Sequence, residues 1–287
     1  MTRAGLPWLG AHEFTVRPYD VDAYPWFREG SCEGKALKHA AIVDVETLGL
    51  APADPVIEVA VRQVAYDPLT GGLYGMTDEY TSLRDPGVPI PEAITALTGI
   101  TDADVKGRTI DLARLKSILT CDLIVAHNAA FDCPRVSRLM ATGIGIPYVP
   151  WACSSVQIDW RGHGLPSASL GALCLAHGFY CEAHRALGDV AALVYLLCHH
   201  NAETKRSYFA ELLTNARKPV VEIFAWGSRF ETKDALKARG YRWLDREKVW
   251  TRIVEATEEA AETAWLVDNV TSRSEVKLVD PRTRFAA

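Results

Sequence analysis

Ala40-Ala41-Ile42-Val43-Asp44-Val45-Glu46-Thr47-Leu48-Gly49-Leu50 is the stretch on which the reading of this chain turns. Its first four residues form a short apolar run of the kind a buried strand shows, and the run ends on Asp44 and Glu46 with Val45 between them. Side chains at i and i+2 of a strand point to one face, so two carboxylates project side by side from the end of a core strand. Like charges held together are unfavourable unless a cation lies between them, and a divalent cation with oxygen ligands serves that purpose. Taken alone, the stretch reads equally well as a solvated strand end turning at Gly49.

Working outward, residues 56–65 and 73–82 alternate as strands, with Asp67, Pro68, Gly71 and Gly72 turning the chain between them. Three strands so closely joined are expected to be antiparallel neighbours. Helical patterns follow at 91–97 and 110–119, a buried strand at 122–126, and a helix over 130–140 with Pro134 in its first turn or kinking it. A strand at 148–154 and helices at 170–177 and 189–198 complete the pattern. Adjacent strands followed by alternating strands and helices predict an α/β fold, a mixed sheet flanked by helices.

Three further residues accompany the opening pair. Asp132 follows the strand 122–126 just inside the next helix, the region of an α/β fold where ligands gather. His184 precedes Asp189 by five residues, a rotation of about 500° on a helix, so the two cannot share a helical face. His184 is expected on a loop ahead of the helix that carries Asp189. Asp189, Leu193, Leu196 and Leu197 share one helical face, and an acid on an apolar stripe is costly unless paired or metal-bound. His127 is read as orienting its neighbours, Glu58 as a structural partner, Cys133 and Cys181 as packing residues, and His199 and His200 as exposed at a helix end.

In order and spacing, D-x-E at 44–46, H-N-x-x-F-D at 127–132 and H-x-x-x-x-D at 184–189 resemble the three motifs of the DEDDh 3′→5′ exonucleases. The likeness is to the epsilon-type proofreading branch associated with bacterial DNA polymerase III and its stand-alone relatives. L-T-G-I-T at 97–101 and W-A-C-S at 151–154 extend it, and K-D-A-L-K-A-R-G-Y-R-W at 233–243 looks like the appended domain of one subgroup. The resemblance implies a ribonuclease-H-like fold, with Asp44, Glu46, Asp132 and Asp189 as ligands of two divalent cations, Mg2+ or Mn2+. It makes His184 the general base and places Thr47, Leu48, Leu97, Asn128 and Phe131 around the terminal nucleotide. Leu48 departs from the second threonine common at that position, which touches substrate contact rather than catalysis. The implied substrate is nucleic acid, with DNA 3′ ends favoured; an RNA-trimming activity stays open, as does work within a polymerase or repair complex. A non-catalytic binding module is disfavoured by the full set of acids.

The 287 residues divide on this reading into an N-terminal arm (1–39), an exonuclease domain (40–205), a connecting segment (206–218) and a small α+β C-terminal domain (219–287). The last is expected to contain a strand at 220–226, a helix at 232–239 closed by Gly240, a hairpin from 241–244 and 249–254, and a helix at 258–266 capped by Thr257. Between Lys218 and Ile253 basic residues outnumber acidic ones nine to five, although the whole chain carries −5. This basic unit, with Tyr241, Trp243 and Trp250, is suited to phosphate contact, while Trp243 and Trp250 themselves are expected in its core. Seven scattered cysteines without a C-x-x-C pair argue against a disulfide framework or zinc site and fit a reducing cytoplasm. No signal peptide or membrane span is expected.

Overall fold

β2 (Lys38–Thr47), which follows the two-residue β1 (Arg17–Pro18), is buried on both faces from Ala40 to Val43, as a central strand must be. Residues 17–18, 35–141, 145, 147–180, 184–201 and 203–286 are described by the computed structural model. Most of the expected N-terminal arm and Cys181 lie outside them.

β3 (Val56–Tyr66) and β4 (Leu73–Leu83) extend the sheet antiparallel from β2, as the short connections require. Then come α1 (Glu92–Thr98), α2 (Asp102–Val105) and α3 (Leu112–Leu119). β5 (Leu123–Ala126) returns parallel to β2, α4 (Ala129–Ala141) follows, and β6 (Trp151–Cys153) pairs parallel with β5. The sheet order is β4-β3-β2-β5-β6, a five-stranded mixed sheet. α5 (Ser154–Gln157), α6 (Leu170–Ala176) and β7 (Phe179–Tyr180) lead to α7 (Ala186–Cys198), and β7 pairs parallel with β1. α7 packs on β2 and β3, and α4 on β2, β5 and β6. Because α7 is buried nearly all round, its sequence is apolar on every face except at the N-terminal turn.

Some local expectations are corrected. Pro134 lies inside α4, beyond its first turn, and the helix runs on to Ala141. The strand expected at 148–154 shrinks to three residues, and α2 was not legible because four residues give no period. Instead α2 rests on a capping box, in which Thr101 accepts from the Asp104 N–H and Asp104 accepts from the Thr101 N–H. His199 is not an exposed helix-end residue: its ring stacks on Phe179 at 5.6 Å and meets Tyr195 at 5.0 Å. α8 (Tyr208–Ala216), expected within a connecting segment, buries Phe209 and Leu212, and the Phe209 ring meets Tyr66 edge-on at 5.2 Å.

The chain divides into two compact units after Leu213. The second holds β8 (Val220–Ala225), α9 (Lys233–Ala238), β9 (Arg242–Leu244), β10 (Val249–Glu255), α10 (Glu259–Asn269) and β11 (Ser274–Leu278). Its antiparallel sheet runs β11-β8-β10-β9 around Val221, Ile223, Leu236, Tyr241 and Leu266, which makes the unit a small α+β body. β11 was not foreseen, since S-E-V-K-L has one half-buried position and an otherwise exposed edge. Thr257 does not cap α10; it lies in a 3-10 turn, and Glu258 takes the N-cap position without a side-chain bond. Trp250 packs against this core, but Trp243 is 42% exposed, contrary to expectation, because it sits on the edge strand. Among the described residues no helix is long and apolar enough to cross a membrane.

Candidate active site

Asp44 and Glu46 leave β2 on the same face, and the first turn of α7 brings Asp189 to them. Ligand oxygens of these three carboxylates lie within 4.8 Å of one another. Asp132, the fourth expected acid, comes from the first turn of α4, is only 2% exposed, and accepts a hydrogen bond from the Val45 backbone N–H at 3.2 Å. That bond ties α4 to the residue between the first two acids. Three carboxylates thus gather at the end of one strand, and Asp132, outside that 4.8 Å group, is tied to the backbone between the first two.

The electrostatics follow from this crowding. Burial, and after it the negative fields of Asp132 and Asp189, push Asp44 well above the ordinary carboxylate range. Glu46 is pushed up to about 7 by burial, then by Asp189 and Glu58, with Arg185 opposing. Asp132 is pushed up to about 8, again by burial first, against the Val45 N–H and Arg135. A cluster that raises its own proton affinity in this way binds a divalent cation in place of protons, and an all-oxygen donor set suits a hard ion. The residues present therefore fit a divalent metal.

Glu58 stands directly opposite Glu46 in the β2–β3 register, a like-charge pairing that would destabilise the sheet unaided. Its carboxylate, 3% exposed, accepts from Arg185 Nη2 at 3.1 Å, from Arg185 Nε at 3.3 Å and from the Ala186 N–H at 3.0 Å. Glu58 thereby caps the N-terminus of α7, where the helix dipole favours negative charge, and fixes the turn carrying Asp189. The structural-partner reading of Glu58 agrees with this geometry. Arg185 was missed, since one arginine inside H-R-A-L carries no periodic signal.

His184 precedes α7 with φ 67°, uncommon outside glycine, and is exposed. Its backbone N–H donates to Asp189 Oδ2 at 2.9 Å. His127 bridges Ser154 Oγ at 2.8 Å and the Ala168 carbonyl at 2.7 Å, an orienting arrangement.

The residues expected around a terminal nucleotide are dispersed in character. Thr47 is buried and its hydroxyl donates to the Gly49 carbonyl at 2.6 Å, closing the turn after β2. Leu48 packs against the cluster of Ile57, Ile90, Ile100 and Val105, whereas Leu97 is 49% exposed at the end of α1. Asn128 is exposed, and its carbonyl accepts from the Phe131 and Asp132 N–H groups at the start of α4. The half-buried Phe131 ring carries the Arg135 guanidinium at 3.4 Å from its centroid.

The chain resembles known proteins in sequence and in fold. Of curated relatives, the PolC-type DNA polymerase III of Listeria welshimeri is 37% identical over 95 residues, which is 32% of this chain and 6% of that protein. The PolC-type DNA polymerase III of Streptococcus mutans is 36% identical over 94 residues, again 32% of this chain and 6% of the relative. The chain thus spans about 6% of the length of the curated relatives it matches. Among solved structures, the zinc-bound E. coli ExoI–ssDNA complex superposes with a TM-score of 0.50 at 20% identity, covering 64% of this chain and 47% of that one. That likeness makes the larger fold ribonuclease-H-like, as expected. The RNase T family, described as exonuclease, matches residues 41–197, a span that holds all four acids and His184 and more than half of the chain; this protein belongs to that exonuclease family.

Proposed function

We propose that the chain is a metal-dependent 3′→5′ exonuclease that removes nucleotides from single-stranded or frayed DNA ends. The observation that carries this reading is the convergence of Asp44, Glu46 and Asp189 within 4.8 Å, with Asp132 bonded to the backbone between the first two. Asp44, Glu46, Asp132 and Asp189 hold two divalent cations, Mg2+ or Mn2+. Cations held there would supply Lewis acidity for the water and for the charge on the leaving oxygen.

The chain's own residues do the rest. His184, exposed beside Asp189, takes the proton from the attacking water; an imidazole suits that task near neutral pH. The water oxygen bonds to phosphorus as the bond to the 3′ oxygen of the preceding nucleotide breaks, and a nucleoside 5′-monophosphate leaves. Thr47, Leu48, Leu97, Asn128 and Phe131 hold the terminal nucleotide, chiefly by apolar and stacking contact, which tolerates any base. The relatives, named as DNA polymerases, support DNA as the polymer and a polymerase or repair complex as the setting. A cytoplasmic location fits that setting.

An end-labelled oligonucleotide assay tests the reading. With Mg2+ or Mn2+, single-stranded DNA labelled at its 5′ end shortens stepwise, and a chelator stops it. Loss of the 5′ label before shortening, or hydrolysis of RNA alone, would refute the assignment.

A further inference from the structure

Beside the turn that follows β2, a cavity of about 470 Å3 is walled by four arginines, Arg84, Arg108, Arg135 and Arg138, against two acids, Asp54 and Asp85. None of the four forms a salt bridge among the described residues. The acids are already engaged with backbone: Asp85 accepts from the Gly87 and Gly107 N–H groups at 2.8 Å each, and Asp54 from the Ala51 N–H at 2.7 Å. Asp85 lies in the field of Arg84 and Asp54 in that of Arg135, and four guanidinium groups against two carboxylates still leave a net positive potential in the hollow.

Arg135 belongs to the same wall and to the acid centre. It is only 4% exposed, lies one helical turn after Asp132 on α4, and donates to the carbonyls of Phe131, Leu50 and Ala51. Its Nε–H is buried and has no acceptor among the described residues. Arg108 and Arg138 are exposed and make no side-chain hydrogen bond among the described residues, so both are available to an anion in the cavity. Guanidinium forks match phosphate oxygens in geometry as well as charge.

We propose that this cavity is a second anion site, which grips a backbone phosphate of a nucleic-acid strand away from the bond being cut. The proposal rests on the exonuclease reading for the identity of its strand. The site adds affinity and register without touching the reacting phosphate. Since Arg135 also holds the carbonyls of the turn after β2, an occupied site stiffens the backbone next to Asp44 and Glu46.

The test uses the full chain and the double variant Arg108→Gln/Arg138→Gln, with Arg108→Lys/Arg138→Lys as the charge-keeping control. Binding of a fluorescent single-stranded oligonucleotide is followed by anisotropy in chelator, so the result is independent of catalysis. The glutamine pair lowers affinity about tenfold at low salt and flattens the plot of log K against log salt by about 0.7 for each phosphate the protein no longer neutralises. The lysine pair retains most of the slope. In parallel, a chromogenic thymidine phosphodiester, which has no upstream phosphate, is hydrolysed with unchanged kcat and KM by the variant. Unaltered oligonucleotide affinity and slope would overturn the proposal. So would a variant that loses only competition by inorganic phosphate or a nucleoside monophosphate, because the cavity would then be a free-anion site. Failure of the wild type to hydrolyse either substrate would count against the exonuclease reading and leave the binding result standing.

Discussion

The backbone N–H of His184 donates to Oδ2 of Asp189 at 2.9 Å, so the exposed imidazole and a carboxylate of the acid cluster are set by one turn of chain. His184 takes a left-handed φ of 67° where it makes that bond. Because the bond uses the backbone, replacing the imidazole leaves it intact. His184→Ala is therefore expected to bind Mg2+ as the wild type does while cleaving about 100- to 10,000-fold more slowly, the usual loss for a general base. Calorimetric titration with Mg2+ and an oligonucleotide degradation assay check the two halves. Parallel loss of metal binding would make His184 a structural residue instead.

Asp44 has the opposite profile. Burial and four like-charged neighbours hold its proton affinity well above normal, so its charged form destabilises the metal-free fold. Asp44→Asn should abolish cleavage and yet raise the melting temperature in chelator, by an amount corresponding to about 1–2 kcal/mol. A lower melting temperature would show that the acid cluster contributes to folding without metal.

The same crowding fixes a pH dependence. Glu46 is held at about 7 and Asp132 at about 8, against ordinary values of 4.5 and 3.8. Between the ordinary and the raised values the folded chain binds more protons than the unfolded one. Stability in chelator should therefore fall as pH rises from about 5 to about 8. Saturating Mg2+ replaces the protons and should remove that slope. Denaturant melts at several pH values, with and without Mg2+, check it; a slope unaffected by Mg2+ would place its origin elsewhere.

Much of this was legible because the decisive features are periodic or ordered. The apolar run before Asp44, the alternation of β3 and the apolar stripe behind Asp189 each leave a repeating trace. What stayed hidden has no period. Arg185 finds Glu58 across 127 positions of sequence, and Arg135 reaches Leu50 and Ala51 by folding alone. Trp243 and His199 went the wrong way for one reason: exposure at a strand or helix end depends on what packs there, which composition does not record.

Arg185 yields its own test. It neutralises Glu58, whose carboxylate is buried opposite Glu46 and caps α7. Arg185→Ala leaves that carboxylate with the Ala186 N–H as its only remaining partner among these bonds, and should cost about 2 kcal/mol in stability. Removal of the opposing cation also raises the proton affinity of Glu46 further, so the metal requirement shifts to higher pH. Arg185→Lys should recover the pH shift but only part of the stability, since a lysine cannot reproduce the two-nitrogen contact. Unfolding curves and Mg2+ activation at pH 7 and 8.5 separate the effects. If Arg185→Ala left both unchanged, Glu58 would be neutralised by another route.

His199 supplies a pH limb of opposite sign. Burial lowers it to about 4, against the partial compensation of its Nδ1 contact with the Tyr195 carbonyl at 2.9 Å, and His177 lies 5.1 Å away, ring to ring. A charged imidazole there would lose its place in the aromatic packing against Phe179 and Tyr195. Between about 4 and 6.5 the folded chain binds fewer protons than the unfolded one, so stability should rise with pH across that window and be lost as pH falls through it. The carboxylate cluster acts in the other direction over an overlapping range, but saturating Mg2+ should cancel its share. Measured in Mg2+, the wild type should therefore show an acid-labile limb below pH 6.5, and His199→Phe, which keeps an aromatic ring and cannot take a proton, should flatten it. An equally steep limb in His199→Phe would assign the acid sensitivity to another buried histidine, of which His177, also lowered by burial, is the next to replace.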